Sequence, residues 1–137
     1  MIGSGSMRLR SVQAAIIPLV DQLIRQCPDT ISFGQGVVHY GPPEQAQKRL
    51  QDFWSDAAHH HYGPILGEPP LQACIRQKLE KENQIDLSSR SIVVTAGSNM
   101  GFLNLVLAIT DPGDEVILLL PYFFNQEMAI RIAGCEP

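Results

Sequence analysis

Two stretches of the chain are apolar without interruption, Ile92-Val-Val-Thr95 and Val116-Ile-Leu-Leu-Leu120 after Glu115. Continuous rather than alternating runs predict strands covered on both faces, as in a parallel sheet clothed by helices. Elsewhere the apolar positions recur at helical spacing. Pro18, Leu19, Val20, Leu23 and Ile24 predict a short helix with proline in its first turn, ending near Cys27-Pro28. Leu50, Phe53, Trp54 and Ala57 mark one face of a second helix beginning at about Glu44, with Gln45, Lys48, Arg49 and Asp52 elsewhere on its wheel. Leu71, Cys74, Ile75 and Leu79 do the same for a third helix over 68–83, where Pro69 and Pro70 fit only the first turn. A buried helix is predicted from about Asn99 to Ile109, and another from Phe123 to Ala133, running toward Gly134. The strand-like run Ile31-Ser-Phe33, the loops at 34–43 and 59–67 and the Pro112-Gly113 turn punctuate these elements. The order strand, helix, strand, helix over the last third is a βαβα unit, which defines an α/β fold with a right-handed crossover.

Charge narrows the function. A net charge of −4, with ten Lys and Arg scattered along 137 residues, provides no basic stripe for nucleic acid. The longest uncharged apolar stretch, Phe102 to Ile109, is far short of the ~20 residues that span a bilayer, so no membrane segment is expected. Cys27, Cys74 and Cys135 are odd in number and widely spaced, and are read as buried free thiols in a reducing, cytoplasmic compartment. Residues 1–6, ahead of a second methionine at Met7, read as a leader outside the fold.

The turn 95-TAGSNMG-101 joins a strand to a helix, and such a turn leaves backbone N–H groups pointing outward at the helix start, where anions bind. It has neither the G-x-x-x-x-G-K-[ST] nor the G-x-G-x-x-G pattern, so a nucleotide is not expected. A single phosphate requires less, and Ser98 and Asn99 could hold one; equally, either could simply cap the helix. The segment 121-PYFFN-125 leaves the end of a predicted parallel strand, where α/β proteins place ligands, and its aromatics could stack on a flat ring or fill a core. Tyr62, in a Pro/Gly-rich loop, could bring a phenol to a phosphate or lie idle at the surface. His59, His60 and His61 are consecutive, diverge in any regular backbone and have no acidic or thiol partner at ligand spacing, so no metal is assigned.

Taken together, four motifs resemble the amino-terminal part of the class I/II aminotransferases, pyridoxal-phosphate enzymes of fold type I. They are Ile31-Ser-Phe-Gly-Gln-Gly36 with Pro43-Glu44; Tyr62-Gly-Pro64 with Gly67 and Leu71; Val93-Val-Thr-Ala-Gly-Ser98 with Asn104-Leu105; and Asp111-Pro-Gly-Asp-Glu-Val116 with Pro121-Tyr-Phe123. The resemblance runs from about Ser11 to Pro137. It implies a partial α/β fold of type I: an arm or leader over 1–10, a small-domain segment over 11–42, and the first part of the large cofactor-binding domain over 43–137. It implies that Ser98 and Asn99 hold the phosphate of pyridoxal 5'-phosphate, that Phe123 stacks on its ring and that Gly36 approaches the substrate carboxylate. It also implies a homodimer in which Tyr62 reaches the phosphate of the other subunit.

Two departures qualify what the resemblance implies. Val37-Val38 stand where the family usually has an acidic residue and a proline, which bears on substrate choice. The lysine that binds the cofactor covalently lies beyond the matched region. Lys48, Lys78 and Lys81 are the only lysines here, and all match helix surfaces. No residue of this chain is therefore assigned a catalytic role. In the family the strands matching 92–95 and 115–120 are not neighbours, so by themselves they would leave unpaired edges. The reading is the amino-terminal fragment of an enzyme moving an amino group between an amino acid and a 2-oxo acid, inactive alone and binding the cofactor weakly or not at all. The alternatives are a non-catalytic truncated protein or pseudoenzyme that keeps the dimer surface, or another fold type I enzyme, a lyase or decarboxylase.

Overall fold

The computed structural model describes residues 6–34 and 36–137. The chain divides into two units, one from the described part of Met1–Gln35 with Thr95–Pro137, the other from Gly36–Val94. Of the predicted leader, residues 1–5 lie outside the described residues. Residues assigned to the arm just after them form a short helix, α1 (Met7–Arg10).

The first unit contains α1, α2 (Ile16–Gln26), α5 (Gly97–Ile109) and α6 (Phe124–Ala133). Its core is small. Val106 of α5, Ile130 of α6 and Cys135 are buried, with Phe102, Val116, Leu118 and Ala133 packed around them. Gly134 ends α6 with φ +84°, the left-handed conformation that glycine adopts without a Cβ clash. The N–H groups of Gly134 and Cys135 then close on the carbonyls of Arg131 and Ile130, and the chain turns back beside residues 114–116. There Val116 N–H bonds Glu136 O at 2.8 Å and Glu136 N–H bonds Asp114 O at 2.9 Å, which makes a single parallel bridge between Glu115 and Glu136.

That bridge is the only sheet pairing among the described residues, which corrects the two predicted strands: neither 92–95 nor 115–120 forms a ladder. A strand needs a neighbouring backbone as well as its own sequence, and past the bridge the described residues offer these segments a single further bond, from Val94 N–H to Leu66 O at 3.0 Å. Their covering differs from expectation as well. Val116 and Leu118 face the helices, but Ile117 and Leu119 are 89% and 82% exposed, so one face is packed and the other bare. The predicted buried helix is likewise one-sided: α5 hides Val106 but exposes Leu105, Leu107 and Ile109.

The second unit holds α3 (Glu44–Phe53), a 3₁₀ turn at Ala57–His60 and α4 (Pro69–Lys81). The apolar face predicted for α3 lies open, with Leu50 and Trp54 exposed; Phe53 meets His59 in a parallel stack, ring centres 5.4 Å apart. Prolines occupy the first turn of α4, as predicted. The Arg76 guanidinium fastens α4 to the following loop by donating to the carbonyls of Leu87 and Arg90 at 3.1 and 3.3 Å. Leu87 is the buried residue of this unit. Of the three thiols predicted to be buried, only Cys135 is; Cys27 and Cys74 are free but exposed, each near the solvent side of its segment.

Candidate functional site

The opening of α5 is built by Thr95, Ala96 and Gly97. Ala96 has φ −72° and ψ 68°, and the Gly97 N–H reaches back to Thr95 O at 2.8 Å, which is an inverse γ-turn. Gly97 follows at φ +81°, and the Thr95 hydroxyl donates to Gly97 O at 2.9 Å. The helix therefore begins at Gly97, two residues earlier than predicted. Ser98 and Asn99 are its second and third residues, and the capping position belongs to Ala96, which has no side chain to cap with. The reading of Ser98 or Asn99 as a cap fails on this geometry. Among the described residues no acceptor is seen for the backbone N–H groups of Ser98 and Asn99, which precede the first intrahelical bond of α5. These open donors coincide with the positive end of the helix dipole, a combination that favours an anion.

Phe123 is the residue just before α6, with φ −77° and ψ 124°, and is 50% exposed. Its ring centre lies 4.7 Å from that of Phe124, at an interplanar angle of 50°. It is thus a presented aromatic rather than a core one. The two helix starts belong together: Asn99 and Leu103 of α5 share a cavity of about 230 Å³ with Asn125, Met128, Ala129 and Ile132 of α6. Asn125 lies two residues after Phe123. Asn99 of the expected phosphate turn and Asn125 of the expected stacking segment thus line one cavity, which runs along α6 as far as Ile132; Ser98 and Phe123 are not among its lining residues.

The other two expected residues lie in the second unit. Tyr62 is fully exposed and lines a shallow hollow with His60 and His61. Gly36 is exposed, and a Cβ added to it would meet nothing within 4 Å. The lysines also belong to this unit; Lys48 pairs with Glu44 at 2.7 Å and Lys78 with Glu82 at 2.8 Å, both on open helix faces. Among the described residues no three His, Cys, Asp or Glu side chains gather as a metal site would require.

One constellation escaped the sequence reading. The Tyr122 hydroxyl donates to Glu127 Oε2 at 2.7 Å, Arg131 Nε donates to Glu127 Oε1 at 3.0 Å, and Arg131 stands 3.8 Å from Glu136. The hydrogen bond from Tyr122, reinforced by that from Arg131, holds the Glu127 carboxyl below the usual range, and the same bond to Glu127 raises the Tyr122 phenol. The i, i+4 spacing of Glu127 and Arg131 was legible as a helix pair. The tyrosine five residues upstream of the glutamate matches no regular spacing.

The sequence profile of aminotransferase class I and II matches residues 28–137, so the chain belongs to that family. An aromatic aminotransferase of Arabidopsis thaliana is 35% identical over 136 residues, covering 97% of this chain and 34% of that protein. A probable aspartate/prephenate aminotransferase of Thermus aquaticus is 29% identical over 136 residues, 96% of this chain and 35% of that protein. The solved structure of the Thermus thermophilus aspartate aminotransferase with maleate superposes with a TM-score of 0.78 at 27% identity, over 97% of this chain and 36% of that one. The fold is therefore part of the fold type I architecture, and the chain spans about a third of the length of the curated relatives it matches.

Proposed function

We propose that this chain carries the phosphate- and ring-holding part of a pyridoxal 5'-phosphate site and belongs to an aminotransferase acting between an amino acid and a 2-oxo acid. The observation that carries the reading is the uncapped start of α5, whose Asn99 shares a cavity with Asn125, two residues after the half-exposed Phe123. The residues fit the group. The open N–H groups of Ser98 and Asn99 suit a phosphate, and Phe123 suits a flat heteroaromatic ring. When bound, the cofactor supplies an electron sink for the substrate's α-carbon. This chain's residues supply binding and orientation. Family resemblance adds Gly36 for the substrate carboxylate and a homodimer in which Tyr62 serves the neighbouring subunit's phosphate. The described residues contain no helix long and apolar enough to cross a membrane.

Titration of the chain with inorganic phosphate and with pyridoxamine 5'-phosphate tests the reading. Both should bind. Phe123→Leu should weaken the second and leave the first unchanged, whereas Gly97→Ala should weaken both. Equal loss of both ligands in Phe123→Leu would refute the stacking role. No binding of either ligand would refute the site in this chain.

A further inference from the structure

The geometry points to Tyr122 as a positioning residue: its hydroxyl, bonded to Glu127, straps the corner at 121–124 so that Phe123 is held facing out from the start of α6. This rests on the reading of Phe123 as the ring-stacking residue.

Three observations support the strap. The corner lies between the segment ending at Leu120 and the first turn of α6, and Phe123 is extended at its end. Neighbouring side chains on an extended backbone point to opposite sides, so fixing one fixes the other. Tyr122 is turned into a cavity of about 590 Å³ lined also by Val116, Leu118 and Leu120, while Phe123 is half exposed. The 2.7 Å bond from its hydroxyl closes a loop of five residues onto the helix that Phe123 opens.

The anchor is itself held. Glu127 is a helix residue, one turn before Arg131, and its second oxygen is occupied by the Arg131 guanidinium at 3.0 Å. A flexible carboxylate would be a poor post, but one gripped from both sides restricts the tyrosine to one rotamer. Bonds to a charged acceptor are about twice as strong as neutral ones. The Phe123 ring pairs with Phe124 of the same short segment, so that contact does not tie it to the rest of the fold. Stacking on a ligand ring requires that the aromatic face be in place before the ligand arrives, because ordering it afterwards weakens binding.

The test uses the 137-residue chain and three variants, Tyr122→Phe, Glu127→Gln and Glu127→Ala. Amide exchange by NMR reads the corner directly, through the Gln126 N–H that bonds Phe123 O at 2.9 Å. In Tyr122→Phe this amide should exchange about tenfold faster, the order expected for loss of a hydrogen bond to a charged group. The Phe123 ring signals should also collapse toward averaged positions. Amides in the core around Val106 and Ile130 should stay protected, which separates a loosened corner from an unfolded chain. Glu127→Gln keeps a carbonyl acceptor and should retain most of the ordering, whereas Glu127→Ala should match Tyr122→Phe. Pyridoxamine 5'-phosphate should bind several-fold more weakly to Tyr122→Phe, with inorganic phosphate unchanged.

Unchanged corner exchange and ring signals in Tyr122→Phe would overturn the strap. Faster exchange with undiminished pyridoxamine 5'-phosphate binding would overturn its positioning role. If the unaltered chain binds neither ligand, the proposed cofactor site fails by itself, and the Phe123 ring signals of the free chain still decide whether Tyr122 orients that ring.

Discussion

Gly97 donates its N–H to the carbonyl of Thr95 and receives the Thr95 hydroxyl in return, so two residues close the whole turn that opens α5. The φ of +81° at Gly97 is what allows the helix to start immediately after so tight a turn, and a Cβ there would touch nothing within 4 Å. The cost of Gly97→Ala is therefore conformational alone, about 1–2 kcal/mol. Urea denaturation should show a loss of that size, accompanied by weaker phosphate binding. A variant as stable as the original would show that the turn is not held in this form.

Gly67 provides the contrast. Its φ is +107°, and a Cβ would stand 2.5 Å from Val94 Cγ2, in a loop whose Leu66 carbonyl accepts the Val94 N–H at 3.0 Å. Gly67→Ala should cost more than Gly97→Ala in the same assay, because side-chain overlap adds to backbone strain. Adding Val94→Ala should recover only part of the overlap, because the Cβ at position 94 would still stand 2.8 Å away, and the deficit should remain larger than that of Gly97→Ala.

Acid and alkali should loosen the Tyr122–Glu127 strap at opposite ends of the pH scale. Glu127 is depressed in the folded chain, so its contribution is full above the ordinary glutamate value and fades as pH falls through the depressed one. Tyr122 is raised, so its contribution is full below the ordinary tyrosine value and fades as pH rises through the elevated one. Arg131, Glu115 and Glu136 line the same cavity and belong to the same field. Exchange at the Gln126 amide, corrected for its intrinsic pH dependence, should show protection highest between these limits. Tyr122→Phe should remove the alkaline limb, and Glu127→Gln the acid one.

Thiol labelling should be biphasic. Exposed Cys27 and Cys74 should react with a disulfide reagent at the rate of model thiols, while Cys135 should wait for unfolding. Cys135 is 2% exposed, and its thiol donates to Thr110 Oγ1 and Asp111 O at 3.3 and 3.4 Å. Three fast thiols would contradict the packing of the α5–α6 core.

Helices were legible in the sequence because each carries its own hydrogen bonds. The start of α3 near Glu44, the Pro69-Pro70 start of α4 and the Gly134 stop of α6 were read correctly, but α3 ends at Phe53, short of the Ala57 assigned to its face, which instead opens a 3₁₀ turn. The start of α5 was placed late because an inverse γ-turn at Ala96 has no residue signature as strong as a capping serine. The strands were less legible for a different reason. The run at 115–120 has strand composition, but its pairing depends on backbone from elsewhere, and only Glu115 finds a partner. At the site, Ser98, Asn99 and Phe123 were named from motif spacing, and the structure adds that the two segments share a cavity. Tyr122 was passed over because a phenol reaching five residues along the chain is a three-dimensional fact with no period.

Ile117 and Leu119 stand in water on the bare side of a segment whose opposite side is packed. At about 25 cal/mol for each Å² of apolar surface left wet, that side is a standing source of adhesion. A net charge of −4 supplies only mild repulsion against it. In the isolated chain the outer half of this short run is therefore one of several wet apolar surfaces, Phe33, Ile65 and Leu120 being others, that favour adhesion.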